Sequence, residues 1–347
     1  MVFLFLTLLL LTFTLAPLSR SEIWWIRGWD FPRMQLFAAT VVLVTIEFII
    51  WDLSVTRHLV IIGLGVLGAL YLGWWILPYT WFYKKEVEQA LDINPKNRIR
   101  IMVANVLITN KNADKLLTLV DENNPDILVT LETDNWWEKK LEVLENEYLY
   151  TIKCPLENTY GMHVFSKYVL HDTKISFLIE SDVPSMRAKV ELPSGDKVQV
   201  YFLHPAPPSP TENETSVERD AELLLIAKEV KDMDEPIIVT GDMNDVAWSY
   251  TTRLFRKISR MLDPRVGRGM FSTFHAKYPL IRWPLDHLFH SAHFTVVDVK
   301  RLSYFNSDHF PILIELELVH ELKNVQEGLD ATHEDEKEAE EKIKKAG

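Results

Sequence analysis

Asp242, Asn244 and Asp245 fall within four consecutive positions, directly after the largely β-branched run Ile237–Thr240 and the single residue Gly241. Oxygen-bearing side chains at the carboxyl end of a buried strand suit a hard cation and a phosphate. The same residue types also make plain turns, because glycine takes positive φ and Asx side chains bond their own backbone. Other strand-like runs end in the same way. Ile99, Ile101 and Val103 alternate with Arg100, Met102 and Ala104, and the run stops at Asn105. Asp126–Leu131 is followed by Glu132, Lys197–Leu203 by His204, and Leu285–Phe289 carries Asp286. Ser307, Asp308 and His309 stand just before the apolar run Pro311–Leu318. Singly, each residue has a bland explanation: Asn105 as a turn former, Glu132 as a carboxylate at a helix N-terminus, His204 as an ordinary polar residue. Jointly they hold what metal-assisted hydrolysis of a phosphate ester needs. Carboxylates hold Mg²⁺, which polarises phosphoryl oxygens, and histidines with an aspartate handle protons. His163, His171, His275, His290 and His293 fall at no such place and read as ordinary polar residues.

The elements that must position these residues are legible around them. Helical spacing marks 112–123, with Leu116, Leu117 and Val120, and 217–233, with Leu223, Leu224, Ile226, Ala227 and Val230. Strand-rich sequence with few helices points to sheets covered by helices in one α/β domain. The net charge of −12 argues against broad, sequence-blind DNA binding, which needs a basic footprint. The one cysteine, Cys154, can form neither an intrachain disulfide nor a cysteine zinc site.

The first 83 residues are of another kind. Three apolar segments, about 2–18, 34–51 and 59–77, each approach the ~20 residues that span a bilayer as a helix. Trp24, Trp25, Trp29, Trp51, Trp74, Trp75, Tyr79, Trp81 and Tyr83 cluster at their edges as interfacial aromatics do. The first segment could alternatively be a cleaved signal peptide, although it lacks a basic start and a small-residue cleavage site. Gly65, Ala69 and Gly73 offer a small-residue row for close helix packing. Glu47 is expected to snorkel to the nearby interface. With three spans, Arg20, Arg27, Arg33, Lys84 and Lys85 share the side of the large domain, against Arg57 opposite. Positive-inside bias then places the domain in the cytoplasm. Cleavage of the first segment would turn it outward. The chain thus divides into a membrane region 1–83, a linker 84–96, a catalytic domain 97–320 and a charged tail 321–347, helical or disordered.

The ordered set Asn105, Glu132, His204, GDMN at 241–244, LDHLF at 285–289 and SDHFP at 307–311 resembles the endonuclease/exonuclease/phosphatase superfamily. That group includes pancreatic-type deoxyribonucleases, abasic-site endonucleases, neutral sphingomyelinases and inositol-polyphosphate 5-phosphatases. HPAPPSP at 204–210, GDMNDVAWS and RWPLDHLFH look like a membrane-attached bacterial subgroup, which implies the inner membrane. The resemblance covers roughly 97–320 and implies a four-layer α/β sandwich, two packed mixed sheets flanked by helices, here preceded by transmembrane helices. It also implies roles. Glu132 is the main Mg²⁺ ligand, with Asn105 beside it and Asp308 nearby, and Mn²⁺ is a substitute metal. His309 meets the scissile phosphate, and Asp286 orients its ring. Asp242 activates or positions the attacking water, Asn244 holds water or phosphate, and His204 lies near the leaving group. The 5-phosphatase signature departs from this chain around its GD and its PLDHLF, which weighs against inositol phosphates.

Arg253, Arg256, Lys257, Arg260, Arg265, Arg268, Lys277 and Arg282 form a basic run with Asp263 as its only acid. It reads either as a solvated face or as a rim that draws in a phosphate-bearing substrate, with Arg265, Arg268 and Arg282 at the mouth. The expected protein is a membrane-anchored Mg²⁺-dependent phosphoesterase acting on a nucleic-acid or phospholipid-like phosphodiester. The alternative is a binding protein that keeps the fold without the chemistry. Substrate and bilayer are the partners expected; nothing in the sequence indicates a protein partner.

Overall fold

The computed structural model describes residues 1–347 apart from the side chain of residue 324. Two mixed sheets form the centre. One has the strand order β10-β11-β1-β2-β4-β3, made of β1 (Arg98–Asn105), β2 (Ile127–Leu131), β3 (Tyr150–Cys154), β4 (Met162–Ser166), β10 (Phe294–Arg301) and β11 (Ile312–Leu318). The other has the order β5-β6-β7-β8-β9, made of β5 (Leu170–Ser176), β6 (Ser185–Glu191), β7 (Lys197–Leu203), β8 (Ile237–Asp242) and β9 (Asp286–His290). Ile99, Ile101, Val103, Ile127 and Val129 face Val198, Val200, Phe202, Ile238 and Leu288 between the sheets. The alternate residues face outward and are covered too. Met102, Ala104 and Leu128 pack on Leu116 and Val120 of α5 (Ala113–Asn123) and Trp137 of α6 (Asn135–Leu141). Tyr201, Leu203 and Val239 pack on α7 (Val217–Val230) and α8 (Tyr250–Ser259). Burial on both faces is why the central strands read as near-continuous apolar runs, and the four-layer sandwich is the architecture expected.

The strand directions gather the polar strand ends on one rim. β1 and β2 run parallel, so Asn105 and Glu132 leave at the same end. β11 is antiparallel to β1, with Val103 opposite Ile312, so the 307–309 turn enters there. β7 and β8 are likewise parallel, and antiparallel β9 sets Asp286 opposite Asp242. Gly241 has φ 142°, and a Cβ there would overlap the Leu203 carbonyl, so only glycine lets β8 run this close to β7.

Three helices are long and apolar enough to cross a membrane: Val2–Ser19, containing α1 (Val2–Leu15); α3 (Arg33–Ile50); and Thr56–Tyr79, containing α4 (Thr56–Ile76). A Cβ on Gly65 would press on Val44 of α3, and one on Gly68 on Leu11 of α1, so small residues set the spacing on two faces of α4. Glu47 does not snorkel. It is buried in the bundle and accepts a 2.8 Å hydrogen bond from Thr7 Oγ1.

The segments outside the sandwich are tied to it. Residues 84–96 are packed in place: Val87 is buried in the inter-sheet core, and Ala90 N donates to Val296 O at 2.9 Å. The loop between α1 and α3, which contains α2 (Trp24–Arg27), bridges to Thr215 through Ile23, and its Asp30 carbonyl accepts from Trp248 Nε1 at 2.8 Å. Ile76 and Tyr79 share a core with Val246, Ala247, Trp248 and Leu285. In the tail, α9 (His333–Ala346) starts on a capping box at Thr332 and Asp335, buries Ala339 against the α7–α8 layer, and sends Lys342 to Asp220 at 2.9 Å.

Glu222 of α7 gives this packing a pH signature. It is buried, and Ser185 Oγ donates to it at 2.6 Å. Burial pushes its pKa up to about 7, against the Ser185 hydrogen bond. Below its unfolded value of about 4.5 both states are protonated, and the group contributes nothing to the pH dependence. Between about 4.5 and about 7 the folded state keeps a proton that the unfolded state has lost, so stability falls as pH rises, by ~3 kcal/mol in all. Glu222→Gln is expected to remove that decline, read as melting temperature against pH in detergent. An unchanged profile would show that Glu222 titrates normally.

Candidate active site

The rim encloses a cavity of about 300 Å³ whose walls include Asn105, Glu132, His204, Asp242, Asn244, Asp308 and His309. Asp286 lies immediately behind His309: its Oδ2 is 2.8 Å from His309 Nδ1. That bond fixes the ring so that Nε2 points to Asp242 Oδ2, 3.5 Å away. His309, Asp286 and Asp242 are all buried. Burial alone would lower the His309 pKa, but Asp286 and then Asp242 outweigh it and raise it to about 10. Both carboxylates thus favour the imidazolium form of the ring. Asp242 is held below the usual range, since His309 and His204 overcome its burial. Asp286 is raised by burial against the pull of His309.

Asn105 Nδ2 donates to Glu132 Oε1 at 2.8 Å and, longer, to Asp242 Oδ2 at 3.3 Å, linking the two sheets' rims. Glu132 takes φ 61°, and its Oε2 accepts from Ile108 N at 3.2 Å. Burial and then the Asp308 charge raise its pKa to about 7, against the Asn105 hydrogen bond. Ser307 Oγ donates to Asn105 O at 2.7 Å and accepts from His309 N at 3.0 Å, which fixes the 307–309 turn against β1. Asn244 sits at φ 49°; its N donates to Asp242 Oδ1 at 2.9 Å and its Nδ2 to Pro205 O at 3.0 Å. His204 is buried, burial lowers it to about 4, and its Nδ1 has no partner.

Four carboxyl groups, Glu132, Asp242, Asp286 and Asp308, thus meet one basic ring, and the burial that pushes Glu132 and Asp286 up is a cost that a divalent cation would offset. Oxygen donors suited to Mg²⁺ come from Glu132, Asn105 and Asp308. Ligand atoms of Asp242, Asp286 and His309 also lie within 4.8 Å of one another, a spacing that one metal ion can bridge.

The three arginines expected at the mouth are elsewhere. Arg265 is fully buried, pairs with Asp263 at 2.8 Å and donates to Asp286 O at 3.2 Å. Its Nη2 lies 2.7 Å from His287 Nδ1, while His287 Nε2 meets Asp245 O at 2.8 Å, so Arg265 supports the backbone under the site and not the substrate. Arg268 donates to the Val87 and Pro264 carbonyls. Arg282 donates to Ala276 O and lies over Phe310, lining a separate cavity with Arg301. A basic run says nothing of its partners, and here they include Glu86, Asp263, Asp330 and Asp335 as well as backbone carbonyls.

Sequence reasoning also missed residues. Phe31, from the loop between the first two spans, lines the cavity, as do Tyr160 and Glu212, which are hydrogen-bonded to each other. Behind the GDMND turn, Asp245 lies 3.6 Å from Arg27 and 3.5 Å from Arg219, and Arg219 Nη1 donates to Asn244 O at 2.8 Å. Arg27 and Arg33 also pair with Asp30. The i, i+3 spacing of Arg27, Asp30 and Arg33 beside an apolar span was the available signal, since charges at that position need partners.

A family model described as the Endonuclease/Exonuclease/phosphatase family matches residues 102–309. No match is found among curated proteins. Among solved structures, an endonuclease/exonuclease/phosphatase from Bacteroides vulgatus is 19% identical, with TM-score 0.53 over 64% of this chain and 100% of its own. The human Nocturnin catalytic domain with bound sulfate is 18% identical, with TM-score 0.53 over 66% and 97%. D. rerio TDP2 complexed with a single-strand DNA product is 16% identical, with TM-score 0.52 over 63% and 99%. These likenesses lie in the fold.

Proposed function

The chain belongs to the endonuclease/exonuclease/phosphatase family, and on that basis we propose that it is a membrane-anchored, Mg²⁺-dependent phosphodiesterase. The observation that carries this reading is His309, bonded to Asp286 on one side and aimed at Asp242 on the other, beside the Glu132–Asn105 pair. Glu132, Asn105 and Asp308 are assigned to hold the cation. His309 is not, because Asp286 and Asp242 favour its protonated ring, which has no lone pair free for a metal. The cation, when bound, offsets charge on the phosphoryl oxygens.

The remaining steps belong to the chain's own groups. Asp242 accepts the proton of the attacking water at Oδ2, which its depressed pKa keeps ionised. His309 Nε2–H donates to the phosphoryl oxygen as charge grows there, and Asp286 keeps that N–H in place. Asn244 orients the water, and neutral His204 hydrogen-bonds the leaving oxygen. With the first span retained, Lys84, Lys85 and Arg20 favour a cytoplasmic domain, consistent with the sequence likeness to membrane-attached bacterial proteins.

The test is hydrolysis of bis-p-nitrophenyl phosphate by full-length protein in detergent. Activity is expected with Mg²⁺ or Mn²⁺ and none in excess chelator. Glu132→Gln should raise the Mg²⁺ concentration for half-activation at least ~10-fold, the loss typical even of an outer partner of a metal. Full activity in chelator would overturn the assignment.

A further inference from the structure

We infer that the substrate is a lipid of the bilayer, a phosphodiester whose hydrocarbon chain lies in an aromatic cavity opening beside the catalytic one. This rests on the phosphodiesterase reading and names its substrate class. The second cavity has a volume of about 650 Å³, within the ~300–1,000 Å³ range of ligand sites. Its walls include Phe13, Trp25, Trp29 and Pro210. Phe13 belongs to α1, a membrane-spanning helix, and stacks on Trp29 with ring centroids 3.7 Å apart. The cavity therefore opens beside a helix long and apolar enough to cross a bilayer.

The two cavities share walls. Phe31 and Pro208 line both. From the shared edge an aromatic row leads inward: Phe31 to Trp283 at 5.5 Å, Trp283 to Phe274 at 6.0 Å, and Phe274 to His309 at 5.0 Å between centroids. An apolar wall thus runs from the membrane side to the catalytic ring. A lipid diester has this same order of parts, with its chain beside the aromatics and its phosphate at His309.

The charges disfavour a polynucleotide. Among the described residues, neither cavity has a lysine in its walls, and its one arginine, Arg27, is buried and paired with Asp30 and Asp245. A nucleic-acid strand presents further phosphates on both sides of the scissile one and needs basic contacts for them. A lipid presents hydrocarbon there, which an aromatic wall receives without leaving any charge unpaired.

Gly28 supplies the test. It lines the aromatic cavity, has φ −52°, and a Cβ there would meet nothing within 4 Å. Gly28→Phe should therefore add bulk at the cavity wall without a Cβ clash, and Gly28→Ala serves as the folding control. Full-length protein in mixed micelles would hydrolyse bis-p-nitrophenyl phosphate with Mg²⁺, in competition with dibutyl phosphate, dihexadecyl phosphate or single-stranded DNA. In the natural protein and in Gly28→Ala, dihexadecyl phosphate, which the micelle gathers beside the protein, is expected to inhibit at least ~10-fold better than dibutyl phosphate, which stays in water. Gly28→Phe should weaken that preference at least ~10-fold, read as the ratio of the two inhibition constants within each variant, which does not depend on its turnover. Equal inhibition by the two phosphates, a preference that survives Gly28→Phe, or stronger competition by DNA would overturn the lipid assignment and leave the phosphodiesterase standing. No hydrolysis of the small diester by the natural protein would overturn both.

Discussion

His309→Ala is expected to lower phosphodiester turnover by ~10²–10⁴-fold, the contribution of a positioned acid–base group. Asp286→Asn should lose a comparable factor, because Asp286 acts through the 2.8 Å bond to His309 Nδ1. The pair works as a unit, so the double variant should be little worse than either single one. The aspartate variant carries a second signature. Asp286 is the chief group that raises His309 against its burial, to about 10. Without that charge the His309 pKa falls. If the imidazolium is the active form, activity is full below this pKa and lost as pH rises through it, so the alkaline limb must move to lower pH. Steady-state kinetics of the three variants across pH check both points. Losses that multiply, or an alkaline limb that stays in place, would show that the two residues act separately.

How much of this was legible in the sequence depends on what each residue's environment demanded of it. β1, β2, β7, β8, β9 and β11 are buried on both sides or nearly so, and their apolar runs announced them. β5 is mostly exposed or half-exposed and carries His171, Asp172, Thr173 and Lys174, so nothing in its composition set it apart from a loop. The set of polar strand ends was readable because topology, not local preference, requires polar residues in a buried rim. What stayed hidden was pairing at long range. Lys342 looked like one cation among many in a charged tail, yet it reaches Asp220, 122 positions earlier. Arg265 belonged to a basic run, yet its burial beside Asp263 and His287 makes it a support. Phe31 carried no signal in the sequence, and only the docking of its loop onto the domain puts it in the cavity wall.

Arg27→Ala is expected to destabilise the whole protein by ~3–5 kcal/mol, the usual cost of removing one partner from a buried ionic cluster. Arg27 is buried, lies 3.1 Å from Asp30 and 3.6 Å from Asp245, and donates to Thr251 Oγ1 at 2.9 Å. Without it, Asp30 keeps Arg33 and Asp245 keeps Arg219, so the cluster retains its fold but carries uncompensated negative charge. For a domain of this size the melting temperature should fall by on the order of 10 °C. Arg27→Lys should recover only part of this, since an ammonium cannot serve Asp30, Asp245 and Thr251 in the planar fork of a guanidinium. Turnover should fall as well, because Asp245 closes the turn that carries Asp242 and Asn244. The alternative is that the loop between the first two spans merely tethers an independent domain. In that case Arg27→Ala would melt within ~2 °C of the natural protein with unchanged kcat, and residues 97–320 alone would be as stable and as active as the full chain. A large loss in both quantities would instead show that the membrane region is structurally part of the catalytic centre, held there by charge as well as by the shared core of Ile76, Tyr79 and Trp248.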